Sequence, residues 1–210
     1  MIPIREILAA SPVMPVIMLD RVSDAIPLAD ALVSGGIRVL EITMRTPAAL
    51  DCVRAIRAGV PQAIVGVGTI TTVADLNAAR EAGAMFGVSP GITAELLSHV
   101  ATIGFPFLPG TMTPSDVMRA LDAGFTAMKL FPARQAGGIE MLKALGGPFP
   151  QVMFCPTGGI DVDSAAAFLA LPNVACVGGS WLAPTTLMAN KDWNEIKKRA
   201  LVASRLITTH

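Results

Sequence analysis

Two charged side chains fall where an apolar strand leaves little room for them. In Val39-Leu40-Glu41-Ile42-Thr43-Met44-Arg45 the period-2 alternation of an extended chain puts Leu40, Ile42 and Met44 on one face. Val39, Glu41, Thr43 and Arg45 take the other. The first face is an ordinary helix-packing surface, so Glu41 and Arg45 are both predicted to point into the interior. Ala127-Met128-Lys129-Leu130-Phe131 repeats the pattern, with Met128 and Leu130 outward and Ala127, Lys129 and Phe131 inward. Charges are rare in cores unless they are paired or functional. The alternatives are a purely structural ion pair, an early end to the strand that carries Glu41 and Arg45, and a Lys129 that snorkels to the rim. Burial penalises an ammonium, and a neighbouring Arg45 would penalise it further. A neutral amine is the species that adds to a carbonyl carbon to form a Schiff base.

A second constellation consists of Thr157-Gly158-Gly159-Ile160 and Gly178-Gly179-Ser180-Trp181, each at the end of an apolar run. Glycines let a ligand approach the backbone closely, and consecutive amides can hold an anion without a dedicated cation. With hydroxyls from Thr157 and Ser180, these two turns suit a phosphate. Each Gly-Gly pair alone is equally an ordinary tight turn.

The elements that must carry these groups form a regular series. Eight apolar, β-branched runs begin at Pro15, Arg38, Ala63, Ala84, Phe105, Ala127, Gln151 and Val174, spaced 21 to 25 residues apart. That interval accommodates a strand, a helix and two short loops. Helix starts are signalled by Thr46-Pro47, Thr71, Thr93 and Thr113-Pro114, and helix ends by Gly35-Gly36, Gly83 and Gly124. The expectation is an α/β fold, a single (β/α)₈ TIM barrel domain spanning residues 1–210, with a doubly wound open sheet as the competitor. Neither a GxGxxG nor a GxxxxGK[ST] loop occurs to favour the latter. Active sites of such barrels form at the carboxyl ends of the strands, and the loops after the last two strands commonly hold phosphate.

Composition removes several other functions. Of 210 residues 52% are apolar and 15% charged, which excludes intrinsic disorder, yet no apolar run reaches the ~18 residues of a spanning helix. Sixteen acidic and sixteen basic residues cancel, so no broad nucleic-acid footprint is expected. The first twenty residues make a poor secretory signal, pointing to a cytoplasmic protein with no membrane partner. Cys52, Cys155 and Cys176 show no CxxC spacing, and the two histidines, His99 and His210, are far apart, so no metal site or disulfide framework is indicated. Cys155 is read as strand core, His99 as a surface residue, and the basic WNEIKKRALVASRL as a solvated helix face.

The motifs VLEITMRT, VGVGT, VSPGIT, MKLFPA, FCPTGGI and VGGSW, in this order between Pro15 and Pro184, resemble those of the 2-keto-3-deoxy-6-phosphogluconate (KDPG) aldolases. Some members of that family also cleave 4-hydroxy-2-oxoglutarate (KHG). The resemblance implies a cofactor-free, metal-independent class I lyase on a (β/α)₈ barrel, usually a homotrimer, that acts in the Entner–Doudoroff pathway on a phosphorylated 2-keto-3-deoxy sugar acid. It implies Lys129 as the Schiff-base residue and Glu41 as general acid/base. Arg45 and Thr69 would bind the substrate carboxylate, Pro90 and Phe131 would line the pyruvyl pocket, and Thr157 would contact the substrate hydroxyls or pyruvyl portion. Gly158, Gly159, Gly179 and Ser180 would form the phosphate end. The rival readings are a galactonate-specific aldolase, a phosphosugar isomerase or epimerase, and a non-catalytic sugar-phosphate-binding barrel. Two departures bear on substrate preference: Arg134 stands where FFPAE has an acid, and Met18-Leu19-Asp20 occupies the end of the first strand, where some relatives carry an arginine.

Overall fold

Each of the eight apolar runs contains a strand, and a helix follows each one. The computed structural model describes residues 2–206, and His210 lies outside the described residues. In chain order come α1 (Ile4–Ala9), β1 (Val13–Ile17), α2 (Ala25–Ser34), β2 (Val39–Thr43), α3 (Ala49–Gly59), β3 (Ile64–Gly68), α4 (Val73–Glu81) and β4 (Gly87–Val88). Then follow α5 (Ala94–Ile103), β5 (Phe107–Leu108), β6 (Gly110–Thr111), α6 (Pro114–Asp122), β7 (Ala127–Leu130), α7 (Gly138–Gly146), β8 (Met153–Pro156), α8 (Val162–Leu169), β9 (Val177–Gly179), α9 (Thr185–Ala189) and α10 (Trp193–Ala203).

This is an α/β fold in which every strand pairing is parallel. One sheet has the order β5-β4-β3-β2-β1-β9 and the other β6-β7-β8. Apart from the β1–β9 pairing, which joins the first strand to the last, neighbours are consecutive in sequence, without the order reversal of a doubly wound sheet. Only Pro109, which has no N–H to donate, separates β5 from β6. Isolated bridges pair Phe154 with Val174 and Thr157 with Gly178, relating β8 to the approach and body of β9.

The alternation read on β2 and β7 holds. Leu40, Ile42, Met128 and Leu130 join the large cluster between strands and helices, whereas Val39 and Ala127 join a smaller inner cluster with Met14, Phe86, Leu108 and Cys155. Room for that inner layer is made by glycine: a Cβ on Gly66 would lie 2.5 Å from the Phe86 ring. Ile7 and Leu8 of α1 complete the same cluster, and the Arg5 guanidinium donates to the Thr126 and Gln151 carbonyls at 3.1 and 2.6 Å. The N-terminal helix thus plugs the amino ends of the strands, a role absent from the reading of that segment as a weak signal.

Helix starts agree in part. Thr113 and Asp116 form a capping box, and so do Thr72 and Asp75, one residue beyond the expected Thr71; Thr93 caps α5. Thr46 caps nothing: α3 begins at Ala49, and the Thr46 hydroxyl instead donates to the Leu19 carbonyl, tying the ends of β1 and β2 together. His99 is half-buried rather than on the surface, because it sits three residues after buried Leu96 and shares its helix face. Arg199 is also more than a solvated charge, donating to the Trp181 carbonyl at 3.0 Å. No helix among the described residues is long and apolar enough to cross a membrane.

Gly66→Ala should overpack the inner layer and lower unfolding free energy by about 1–3 kcal/mol. Urea denaturation checks this, and Phe86→Leu in the same chain should recover part of the loss. Wild-type stability for Gly66→Ala would contradict the tight contact with Phe86.

Candidate active site

All strands run the same way, so their carboxyl ends emerge on one face. There β2 and β7 bring their inward charges together. Lys129 Nζ donates to Glu41 Oε1 and Oε2 at 3.1 and 3.3 Å, with side-chain exposures of 6% and 1%. Residues 88 apart in sequence meet because both point inward from opposite parts of the strand series.

Register explains how two charged side chains fit. Glu41 pairs with Gly66 on β3, and Gly68 lies one inward step further. A Cβ on Gly68 would strike the Glu41 carboxylate, so the VGVG run leaves the space that the glutamate fills. Lys129 lies between Gly110 on β6 and Cys155 on β8 in register, again small neighbours. Its amine is 5.4 Å from the Phe131 ring centroid, an aromatic face that favours a cation.

Above the pair opens a cavity of about 440 Å³. Lys129, Phe131 and Thr43 are at its wall with Arg45, the Thr157-Gly158-Gly159-Ile160 turn forms one side, and Gly179 and Ser180 another. Val16 and Ile17 of β1 with Met18 just beyond it, and Ala183, Pro184, Thr185 and Met188 around α9, complete it. Gly158 and Gly159 have φ of 104° and 76°, left-handed conformations that glycine adopts without strain. Thr157 is buried opposite Gly178, where a Cβ would overlap its hydroxyl. Gly179 leaves the space occupied by the Trp181 ring.

Three expected residues sit differently. Arg45 is not inside: β2 ends at Thr43, so the alternation no longer governs Arg45, whose exposed guanidinium donates from Nε to Thr69 Oγ1 at 3.1 Å. It therefore stands at the mouth and not beside the Lys129 amine. Thr69 reaches the cavity wall only through this bond, and it holds a positive φ of 65°, unusual for a β-branched residue and of the kind found at ligand sites. Pro90 is half-buried with its backbone packed close against Gly110, outside the residues that bound the cavity.

Cys155 and Cys176 are both buried on the inner face. Cys176 is raised well above the usual thiol range by its hydrogen bond with Cys155, by burial and by the nearby Glu41 carboxylate. A thiolate nucleophile is disfavoured there. Met18 and the Pro184-Thr185 segment were not anticipated as walls. Continuing the alternation of β1 one residue past its end would have marked Met18, whereas the α9 segment meets the cavity only through the tertiary fold. Arg21, just beyond, is committed to Asp24, which accepts its Nε–H at 2.8 Å.

The chain matches the family model described as KDPG and KHG aldolase over residues 4–199. It is 47% identical over 196 residues to a 2-dehydro-3-deoxy-phosphogluconate aldolase of Pseudoalteromonas atlantica, covering 93% of this chain and 91% of the relative. It is 46% identical to the KHG/KDPG aldolase of Escherichia coli, covering 93% and 92%. Among solved structures, a KDPG aldolase from Legionella pneumophila, with pyruvate captured at low pH as a covalent carbinolamine intermediate, superimposes with a TM-score of 0.95. That pair is 44% identical, with 97% of this chain and 98% of the other covered.

Removing one member of a buried ion pair strands the other charge. Lys129→Met should therefore remain folded but lose about 3 kcal/mol of unfolding free energy, and adding Glu41→Gln should restore part of it. Urea unfolding of both single variants and the double tests this; losses that simply add would show that the pair is not coupled.

Proposed function

Because the chain belongs to the KDPG and KHG aldolase family, we propose that it is a class I aldolase cleaving 2-keto-3-deoxy-6-phosphogluconate to pyruvate and D-glyceraldehyde 3-phosphate. Cleavage of 4-hydroxy-2-oxoglutarate to pyruvate and glyoxylate fits the same site. The observation that carries this reading is the buried Lys129–Glu41 contact at the floor of an open cavity, a nucleophile and an acid/base within hydrogen-bond reach of each other.

The mechanism follows from that contact. A proton passes from Lys129 Nζ to Glu41, and the freed lone pair adds to the C2 ketone. The resulting carbinolamine, the kind of species captured in the Legionella pneumophila relative, loses water with Glu41 as proton donor to leave an iminium. Glu41, again a carboxylate, takes the C4 hydroxyl proton, and the C3–C4 electron pair moves into the iminium to form an enamine. Glyceraldehyde 3-phosphate departs as the new aldehyde. The same carboxyl returns its proton to C3, and water hydrolyses the iminium to pyruvate and the free amine. The iminium supplies the electron sink that a metal provides in other aldolases, so no cofactor is required.

The remaining roles are proposed from the resemblance, with each residue where it stands at the site. Arg45, oriented by Thr69, takes the substrate carboxylate at the mouth. Phe131 supplies the apolar side of the pyruvyl region, Pro90, which does not bound the cavity, is left without a contact role, and Thr157 hydrogen-bonds the substrate near C2 to C4. Gly158, Gly159, Gly179 and Ser180 receive the phosphate. We further propose that the two sheets close as one (β/α)₈ barrel over a single domain, with β5 and β6 as halves of one strand. In support, the β8–β9 bridges and the β9–β1 pairing leave no unpaired neighbour in the strand series. A homotrimer, as the resemblance implies, located in the cytoplasm, completes the proposal.

Incubation with pyruvate and borohydride should leave a stable adduct on Lys129, located by peptide mass spectrometry. Lys129→Met should lose adduct and turnover together. Glu41→Gln should still form some adduct while cleavage slows by ~10² to 10⁴. An adduct on Lys143, Lys191, Lys197 or Lys198 with Lys129 unmodified would overturn the assignment. Turnover should also persist in EDTA; loss on chelation with recovery on adding a divalent ion would reject a Schiff-base mechanism.

For the phosphate end, Gly179→Val would displace the Trp181 ring as well as obstruct a ligand, so Ser180→Ala is the cleaner change. It should raise KM for the phosphorylated substrate and leave cleavage of 4-hydroxy-2-oxoglutarate much less affected. Equal losses on both substrates would remove Ser180 from that subsite.

A further inference from the structure

One side of the Gly158-Gly159 turn is covered by a cation. Just past β7, the Ala133 amide donates to the Thr157 carbonyl at 2.8 Å and the Arg134 amide to the Gly158 carbonyl at 3.1 Å, so residue 134 rides on the turn itself. The Arg134 stem lies along Gly159: a Cβ built there would come within 2.7 Å of Arg134 Cβ and 2.9 Å of its Cδ. Only glycine at 159 admits both the left-handed backbone and this stem.

The guanidinium beyond that stem is uncommitted. Arg134 is exposed, and its side chain forms no hydrogen bond or ion pair with a described residue. Asp161, the neighbouring carboxylate that senses its charge, is already engaged: Oδ1 accepts from the Ser164 amide at 2.9 Å and from its hydroxyl at 2.6 Å. Those Ser164 bonds, with a smaller contribution from Arg134, hold the Asp161 carboxyl below the usual range. Of the cations that line the cavity, Lys129 is paired with Glu41, and Arg45, turned to Thr69, is assigned to the substrate carboxylate. Arg134 is therefore placed to meet an anion that arrives at the Gly158-Gly159 turn.

We propose that Arg134 is a specificity-determining residue whose guanidinium adds a fixed positive charge to the amide-built turn and so selects substrates with a distal phosphate ester. This rests on the aldolase reading above. The chemistry of the two substrates separates them. In the sugar acid the phosphate sits two carbons and an ester oxygen beyond C4, far enough to reach the turn. In 4-hydroxy-2-oxoglutarate the second carboxylate is attached directly to C4 and stays close to Lys129. A guanidinium suits the task because its planar fork can meet two phosphate oxygens and keeps its charge at every working pH.

The test compares Arg134→Gln, Arg134→Glu and Arg134→Lys on three substrates: the 6-phosphate, its unphosphorylated 2-keto-3-deoxygluconate counterpart, and 4-hydroxy-2-oxoglutarate. For an exposed charge contact, Arg134→Gln should raise KM for the 6-phosphate by about three- to fivefold with kcat nearly unchanged. Arg134→Glu should raise it further, and Arg134→Lys should retain much of the wild-type value. KM for the two unphosphorylated substrates should not move. Inorganic phosphate, as a competitive inhibitor, should bind correspondingly more weakly to Arg134→Gln, and the increase of wild-type KM with ionic strength should flatten in that variant. A wild-type KM and salt dependence for Arg134→Gln on the 6-phosphate would overturn the role of Arg134 while leaving the aldolase intact. Failure of the wild-type enzyme to cleave any of the three would instead overturn the aldolase reading, and this inference with it.

Discussion

The ion pair between Lys129 and Glu41 sets the terms for the rest of the molecule. Removing two charges from water costs several kcal/mol per ion even after relaxation, and mutual attraction repays that only when the geometry is good. Both carboxylate oxygens of Glu41 lie within hydrogen-bond range of the amine, so the geometry is good. It also demands space in an interior that is otherwise close-packed. The surrounding strands meet the demand by subtraction. Gly68 vacates the volume taken by the Glu41 carboxylate, and Gly110 lies beside Lys129 in register. The same device recurs at the rim, where Gly178 makes way for Thr157 and Gly179 for Trp181.

Parallel strands divide the two ends of the structure. At the amino ends α1 closes the interior with Ile7 and Leu8 over Val39, Phe86 and Cys155, so the ion pair rests on an apolar floor. At the carboxyl ends the strands stop early and their loops splay into the cavity. Stability and chemistry are thereby assigned to opposite faces, which is why an inward side chain two residues further along a strand changes from core to site. Cys155 in β8 and Thr157 just past its end show the transition: the first is inner-cluster core, the second cavity wall.

What could be read from the chain follows the same physics. Period-2 alternation is a local property, and it correctly sent Glu41 and Lys129 inward, because each lies within a strand that continues past it. It failed for Arg45, which follows the end of β2 at Thr43 and is turned by the loop toward Thr69. The glycines of VGVG were legible as a motif, but their reason was not. Only the pairing of β2 with β3 puts Gly68 next to the Glu41 carboxylate, and register is a relation between segments. The plug formed by α1 and the α9 wall were hidden for the same cause, since nothing within six or five residues states what they will cover. Thr46 shows a local signal overruled by a distant partner, its hydroxyl serving the Leu19 carbonyl in place of a helix end.

The cations of the site differ in kind because their tasks differ. The group that adds to a ketone must be able to release a proton, and lysine held against a carboxylate acceptor does so within one hydrogen bond. Groups that only hold anions gain nothing from releasing protons, and the two proposed for that task are arginines: Arg45 at the mouth and Arg134 along the Gly158-Gly159 turn. Arg45 and Arg134 lie on the exposed margin, where a charge costs little desolvation and can be altered without disturbing the apolar floor. The Lys129–Glu41 pair has no such freedom, since changing either partner strands a charge in the interior. Under the role proposed for Arg134, substrate preference can change at position 134 while the buried pair that would break the bond stays as it is.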